Sequence, residues 1–398
     1  MKTIEVASNV HWVGVVDWDL RDFHGYSTPK GTTYNSFLVT DSKTALFDTV
    51  KAPLVASHLD QIARVIDPNQ IDYIVVNHVE MDHSGGLPAV IDAVKPEKII
   101  CSANGKKALL AHFHREDWPY EVVKTGDTIS LGEKSVKFIE TRMLHWPDSM
   151  FSYIENDRLL ISSDAFGQHW GTSERFDDEV DSSELMYEAG KYYANILLPY
   201  SPLVQKLLAS VAELGIQIDT IAPDHGLIWR SNPTSILEAY DSWSRQEAKR
   251  KALVVYDTMW QSTKHMALAV ADGLVEQGVA VKVMNMVHNH RSEVVTELLD
   301  ATGLVVGSST LNNGILPRMA DLLTYVKGLR PANKVAAAFG SYGWGGEAVK
   351  ILNGILQEMK CDVPHPGVRV QYVPTAEDLA QCRELGYTIG NEINQRVT

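Results

Sequence analysis

The sequence is poor in cysteine. Its 398 residues include three cysteines, Cys101, Cys361 and Cys382, which lie far apart and form no CxxC pair. A disulfide framework needs paired cysteines, and thiolate metal sites need clustered ones. The sequence therefore argues against both, and we expect the three thiols to be buried and unreactive.

Long apolar runs and excess positive charge are also missing. No run approaches the roughly 18 apolar residues of a spanning helix, and the first residues lack the apolar segment of a signal peptide. Lysine and arginine total 36 against 50 acidic residues, a formal net charge of -14. This balance argues against a nucleic-acid partner and against an anionic membrane surface. We therefore expect a soluble, cytoplasmic protein.

The apolar content is sufficient for more than one core. Hydrophobic residues make up 45% of the chain, and its length favours two domains. Residues 241–250 form a charged run, after which a new strand pattern begins at Ala252. We place one domain at 1–249 and a second at 250–398.

A cluster of potential metal ligands follows the apolar run 71–76, which predicts a buried strand. Gly85 and Gly86, which come next, would let the backbone turn away. The four candidate ligands fall within six residues and would project from the loop at the carboxyl end of that strand: His78, Glu80, Asp82 and His83.

Three further candidates, His145, Asp164 and His225, follow later strand-like runs. The seven donors exceed the four that a tetrahedral zinc requires, so we infer two metals that share a carboxylate. Nitrogen and oxygen donors without thiolate suit iron, manganese and zinc alike. The residues alone leave the metal open.

The second half repeats strand and helix, with strand-like runs at 252–256, 280–284, 303–307 and 334–339. This alternation predicts a doubly wound parallel sheet that binds its ligand at the carboxyl strand ends. Three loops at those ends offer hydroxyls, glycines and aromatic planes that suit a phosphorylated flavin, although none is a Walker loop. Their candidate residues are Thr258, Met259, Trp260, Gln261, Ser262 and Thr263; Ser309, Thr310, Leu311, Asn312, Asn313 and Gly314; and Ser341, Tyr342, Gly343, Trp344 and Gly345.

The order His-x-Glu-x-Asp-His, then His, Asp and His, resembles the metallo-β-lactamase-like domain of flavodiiron proteins. Glu80 stands where hydrolytic members of that superfamily usually have histidine, and the three later loops resemble a flavodoxin domain. The fold implied is α/β, an N-terminal metallo-β-lactamase-like αβ/βα sandwich followed by a C-terminal flavodoxin-like doubly wound parallel sheet. The cofactors implied are FMN and two iron ions.

The resemblance also implies a role for each candidate ligand. One iron would be held by His78, Glu80 and His145, the other by Asp82, His83 and His225, with Asp164 bridging them. An early-loop histidine and a tyrosine of the Tyr-Tyr-Ala-Asn segment line the family's substrate pocket, which points to His24 and Tyr193. Ser309 departs from the proline often found in its loop, and we expect FMN binding to persist there.

The activity implied is a terminal reductase in which FMN passes electrons to the di-iron site, which reduces dioxygen to water or nitric oxide to nitrous oxide. A separate rubredoxin-like protein would supply electrons, with a reduced deazaflavin as the alternative donor. Family members assemble head to tail, as a homodimer or a dimer of dimers. The sequence does not distinguish the two gases.

Two other functions remain open at this stage. One is a zinc hydrolase with a flavodoxin-like regulatory module, against which Glu80 and the flavin loops argue. The other is an FMN-binding electron-transfer protein with a structural metal, although a structural zinc site is normally complete with four ligands.

Overall fold

The computed structural model describes residues 4–213, 215–247 and 249–397. The strands of the first half are β1 (Ile4–Ala7), β2 (Val10–Trp12), β3 (Val15–Asp17), β4 (Asp22–Phe23), β5 (Tyr26–Ser27), β6 (Thr32–Tyr34), β7 (Phe37–Val39), β8 (Ala45–Phe47), β9 (Tyr73–Val76), β10 (Lys98–Ser102), β11 (Tyr120–Val123), β12 (Thr128–Ser130), β13 (Ser135–Glu140), β14 (Met150–Ile154), β15 (Leu159–Ile161) and β16 (Thr220–Ala222). Those of the second half are β17 (Lys249–Asp257), β18 (Ala280–Asn285), β19 (Ala301–Ser308), β20 (Val335–Tyr342) and β21 (Val368–Gln371).

The α-helices are α1 (Val55–Ala63), α2 (Met81–Ser84), α3 (Leu87–Val94), α4 (Ala103–Phe113), α5 (Ser182–Tyr192), α6 (Ser201–Glu213), α7 (Pro233–Arg245), α8 (Ser262–Glu276), α9 (Arg291–Leu298), α10 (Pro317–Leu329), α11 (Ala348–Glu358) and α12 (Ala376–Arg396). A π-helical turn at Tyr193–Leu197 follows α5, and short 3₁₀ turns lie at Ala52–Leu54, Pro68–Gln70, Asp177–Glu179 and Leu198–Tyr200.

The described residues form two compact units. The first comprises the chain up to His24, Thr28–Tyr193 and Tyr200–Asp241. The second comprises Gly25–Ser27, Ala194–Pro199 and the chain from Ser242 onward. The largest segment of the second unit thus begins at Ser242, and two short segments of the first half belong to the second unit.

The first unit is built on two sheets. One has the order β1-β2-β7-β8-β9-β10-β11 and the other the order β12-β13-β14-β15-β16. Side chains alternate between the faces of a strand, so in β7 Phe37 and Val39 enter the core shared by the two sheets, while Leu38 packs under the helices. Helices α1, α3 and α4 cover the outer face of the larger sheet through Ile62, Val90 and Leu109. This is the predicted αβ/βα sandwich.

The second unit is a parallel sheet of order β18-β17-β19-β20-β21. Its three inner strands, β17, β19 and β20, contain long buried runs, as expected where a sheet is covered on both faces. On one face α8 and α12 pack so closely that two glycines leave no room for a side chain. A Cβ at Gly273 would lie 2.0 Å from the Arg383 carbonyl oxygen, and a Cβ at Gly386 would lie 2.1 Å from the Val270 carbonyl oxygen. The predicted doubly wound sheet is confirmed.

Within the described part of the chain, no helix combines the length and the apolar character needed to cross a bilayer.

Candidate metal centre and cofactor pocket

The first four candidate ligands follow β9 as predicted, but two of them do not lie in a loop. Asp82 and His83 belong to the short helix α2, and Glu80 immediately precedes it. The following glycines serve close packing rather than a sharp turn, since Gly85 and Gly86 have φ values of −60° and −82°. A Cβ at Gly86 would lie 2.6 Å from the Val50 carbonyl oxygen.

One set of donors comprises His78, Glu80, His145 and Asp164. Glu80 Oε2 lies 3.3 Å from His78 Nε2 and 3.2 Å from His145 Nε2. Asp164 Oδ2 lies 3.3 Å from His78 Nε2 and 2.9 Å from His145 Nε2. Ligand bonds of 2.0–2.1 Å separate neighbouring donors by about 3.0–3.4 Å, so these spacings suit a single metal ion.

A second set comprises Asp82, His83 and His225. Asp82 Oδ2 lies 3.4 Å from His83 Nε2 and 3.2 Å from His225 Nε2. The other oxygen of Asp164, Oδ1, lies 3.2 Å from His83 Nε2 and 3.5 Å from His225 Nε2. These spacings, too, are those of donors around one ion.

Asp164 is the residue that both sets share. Its two carboxylate oxygens face different imidazole pairs, as a bridging carboxylate requires. Burial alone would raise the pKa of Asp164, but the neighbouring imidazoles, His83 foremost, outweigh it and hold that pKa well below its usual range. Asp164 is therefore a carboxylate in the folded chain, the form that binds a metal.

Several of these ligand atoms make no hydrogen bond, although they are buried. Asp82 Oδ1 and Oδ2, His83 Nε2 and Asp164 Oδ1 make no hydrogen bond. Leaving such groups unpaired in the interior is costly. The buried imidazole and carboxylate donors, which include no thiolate, fit two borderline-to-hard metal ions such as iron.

The two predicted pocket residues differ in their placement. His24 Nε2 lies 3.1 Å from Glu80 Oε1, although the His24 side chain is 74% exposed. The Tyr193 hydroxyl instead lies 2.9 Å from Ser201 Oγ, and its ring packs against Tyr240. The structure brings His24 to a candidate ligand and directs Tyr193 into the helical layer.

Of the two adjacent tyrosines, Tyr192 is the one that faces the cluster. Its ring centroid lies 6.1 Å from that of His225 and 5.1 Å from that of His169. His169 in turn lies 4.7 Å from His225 and shares a hydrogen bond of 2.9 Å with Thr32 Oγ1. The sequence analysis missed both residues, because Tyr192 adjoins the tyrosine it chose and no strand-like run precedes His169.

The second unit contains a cavity of about 880 Å³ at the carboxyl ends of its strands. Such a volume suits a cofactor-sized ligand. All three predicted loops contribute to its wall, and the sequence analysis missed the contribution of the loop after β21. The lining residues are Met259, Trp260, Ser262, Ser309, Thr310, Leu311, Asn312, Asn313, Ser341, Tyr342, Gly343, Trp344, Gly345, Tyr372 and Val373.

Four predicted loop residues, Thr258, Gln261, Thr263 and Gly314, are not part of that lining. Thr263 lies behind it, where its hydroxyl is 2.9 Å from those of both Ser309 and Ser341. One hydroxyl from each loop therefore meets at the N-terminus of α8, where backbone amides favour a phosphate. The exposed indoles of Trp260 and Trp344 supply planar surfaces, so the cavity fits a phosphorylated flavin.

Comparison with known proteins agrees with this geometry. Residues 32–226 match the model of the ODP family beta lactamase, and residues 254–386 match that of flavodoxin. A nitric oxide reductase from Moorella thermoacetica is 48% identical over 98% of both chains.

Solved structures extend the similarity to the whole fold. The rubredoxin oxygen:oxidoreductase of Desulfovibrio gigas superimposes with a TM-score of 0.98 at 45% identity, covering 100% of both chains. The flavodiiron protein of Giardia intestinalis superimposes with a TM-score of 0.96 at 34% identity, covering 100% of this chain and 98% of the other. The chain therefore belongs to the flavodiiron protein family.

Proposed function

We propose that this protein is an oxidoreductase that passes electrons through FMN to a di-iron site and there reduces a diatomic gas. Dioxygen takes up four electrons and four protons to give two waters. Two molecules of nitric oxide take up two electrons and two protons to give nitrous oxide and water. The hydrolase alternative is not favoured, because the named relatives are reductases and Glu80 adds a carboxylate to the first donor set.

The observation that carries the proposal is the position of Asp164 between two donor sets. Its oxygens would hold two irons side by side, with His78, Glu80 and His145 completing one site and Asp82, His83 and His225 completing the other. Such a pair can bind both atoms of a small substrate and share the electrons that the reduction requires. His24 contacts Glu80 Oε1, the oxygen that does not face His78 and His145, and would face the substrate beside the first iron.

The residues of the cofactor pocket would hold FMN. The hydroxyls of Ser262 and Thr310 and the amides at the start of α8 would bind its phosphate, and the loops after β19 and β20 would enclose its ring. A flavin can accept electrons in pairs and release them singly, which suits delivery to a metal centre. The Desulfovibrio gigas protein is named for rubredoxin, and a rubredoxin-type protein is accordingly our proposed electron donor.

A cytoplasmic location and a head-to-tail homodimer, or a dimer of such dimers, also belong to this proposal. In that arrangement the FMN of one chain would serve the metals of its partner. This arrangement is the one that the resemblance to flavodiiron proteins implies.

The test is substitution of the shared carboxylate. We expect Asp164→Ala to lose iron and the reduction of both gases while FMN remains bound, because its removal opens both donor sets at once. Iron analysis, the flavin spectrum and anaerobic stopped-flow mixing with each gas measure these properties. Asp177→Ala is the control, since Asp177 accepts hydrogen bonds from the backbone of Arg230 and Ser231 and contacts no candidate ligand. Wild-type reduction of both gases by Asp164→Ala would refute the assignment.

A further inference from the structure

The two donor sets differ in the groups that accept hydrogen bonds from the Nδ1 atoms of their imidazoles. His78, in the first set, directs Nδ1 at Asp148, with 2.9 Å between Nδ1 and Oδ2. His225, in the second set, donates from Nδ1 to the backbone carbonyl of Thr33 over 2.7 Å. His83 Nδ1 lies 3.8 Å from Asp224 Oδ2 and makes no hydrogen bond. A buried anionic acceptor is therefore hydrogen-bonded to an imidazole of the first set, and a neutral acceptor to one of the second.

Asp148 is firmly held in its position. It is 3% exposed. Its Oδ2 also accepts the backbone N–H of Val79 over 2.8 Å, and its own carbonyl accepts the hydroxyl of Ser102 over 2.9 Å. The carboxylate thus fixes the peptide after His78 as well as the tautomer of its ring. Because Nδ1 carries the proton that Asp148 accepts, Nε2 keeps the lone pair that can bind a metal. Nε2 faces Glu80 and Asp164.

The same loop also supplies His145, three residues before Asp148 and a member of the same donor set. One loop between β13 and β14 therefore provides both a direct ligand and the support of another ligand for a single metal position. We propose that Asp148 is a positioning residue that makes the two metal positions unequal, so that the iron held by His78, Glu80 and His145 has the stronger donors and the lower reduction potential. The inference rests on the two-metal site proposed above.

The physical reason is the negative charge of Asp148 next to the imidazole of His78. A carboxylate that accepts the Nδ1 proton increases the basicity of the imidazole, and a more electron-rich ligand stabilises the more highly charged metal. A backbone carbonyl has a weaker effect, because it carries no net charge. Supporting partners of this kind typically change metal affinity or activity by about 10- to 100-fold.

Asp148→Asn separates charge from geometry. Its amide oxygen can accept the same two N–H groups, but the side chain is neutral. We expect one of the two iron equivalents to bind about 10- to 100-fold more weakly in competition with a chelator, while the other and FMN are unchanged. The first-set iron is the second to be reduced, so we also expect the mixed-valence EPR signal to disappear at a more positive potential in a redox titration. Asp177→Asn, which neutralises another largely buried carboxylate of the same unit, should change neither property.

Asp148→Glu gives a second test that keeps the charge, and it also serves if the asparagine variant does not fold. We expect the potential at which its mixed-valence signal disappears to stay close to the wild-type value. If Asp148→Asn is also measured, the shift in Asp148→Glu should be the smaller of the two. Two wild-type iron affinities and a wild-type potential in Asp148→Asn, or a potential in Asp148→Glu as far displaced as in the neutral variant, would overturn the inference. A wild-type protein that binds fewer than two irons would instead remove the proposed function.

Discussion

At the scale of single residues, adjacent tyrosines have opposite surroundings. Tyr192 contacts His169 and His225, whereas Tyr193 contacts Ser201 and Tyr240. Burial raises the pKa of both phenols, but only for Tyr192 do the site carboxylates Asp164, Asp82 and Glu80 contribute. Tyr192 is therefore the better candidate for a residue that shapes the substrate pocket.

We accordingly expect Tyr192→Leu to lower the turnover rate by about tenfold with whichever gas the protein reduces, because His225 loses the ring that confines it. Tyr192→Phe keeps the ring and should stay near wild type. Tyr193→Phe should leave turnover unchanged and cost about 1 kcal/mol of unfolding free energy through the lost hydrogen bond. Stopped-flow kinetics and denaturant titration measure these effects, and a turnover defect confined to Tyr193→Phe would restore the original choice.

At the scale of elements, a buried histidine joins α1 to the segment between β2 and β3. His58 Nδ1 donates to the Val13 carbonyl over 2.9 Å, Nε2 makes no hydrogen bond, and burial lowers the pKa of His58 to about 4. In the unfolded chain that pKa is about 6.5. Between these values the unfolded state binds a proton that the folded state does not bind, so stability is complete above the unfolded pKa and declines as the pH falls towards 4.

The decline that His58 causes should approach about 3 kcal/mol. His58→Asn retains a donor for the Val13 carbonyl but does not titrate in this range. We expect urea titrations at pH 7 and pH 4.5 to show a smaller loss of unfolding free energy for the variant than for the wild type. Equal losses in the two proteins would contradict the assignment to His58.

The three loops of the cofactor pocket are joined by the hydroxyls of Thr263, Ser309 and Ser341. Thr263→Val removes one hydroxyl with little change in volume and should weaken FMN binding by about tenfold, or about 1.4 kcal/mol. Flavin fluorescence titration of the apoprotein measures this. Thr302→Val is the control, since the Thr302 hydroxyl bonds to the Lys249 carbonyl and does not line the cavity. Equal FMN affinities in the two variants would count against a role for the hydroxyl group.

At the scale of the whole molecule, the proposed head-to-tail dimer can be tested by complementation. An iron-free Asp164→Ala chain and an FMN-deficient chain should each be inactive alone. After random exchange, half of the dimers are mixed and each contains one complete FMN and iron pair, so about one quarter of wild-type activity should return. Light scattering should show a dimer or tetramer, and a monomer with full turnover would exclude this arrangement.

The order of strands, helices and donors was predictable because each depends on local pattern. Tyr73–Val76 forms the buried strand that the apolar run 71–76 predicted, and the apolar runs of the second half form its parallel strands. The seven candidate ligands could be named because imidazoles and carboxylates after apolar runs are unusual in combination. The sequence analysis erred where a short helix, α2, replaced the expected loop, since four residues carry too little periodicity to identify a helix.

The sequence by itself determined two domains, their α/β classes, the chemistry of the donors and the loops that could bind a flavin. Only the tertiary structure decided which oxygen of Asp164 faces which imidazoles, that Tyr192 rather than Tyr193 faces the cluster, and that Asp148 supports His78. Periodicity records whether a side chain is buried, but not which distant residue it meets. That partner depends on the packing of strands and helices far apart in the chain, which no local pattern specifies.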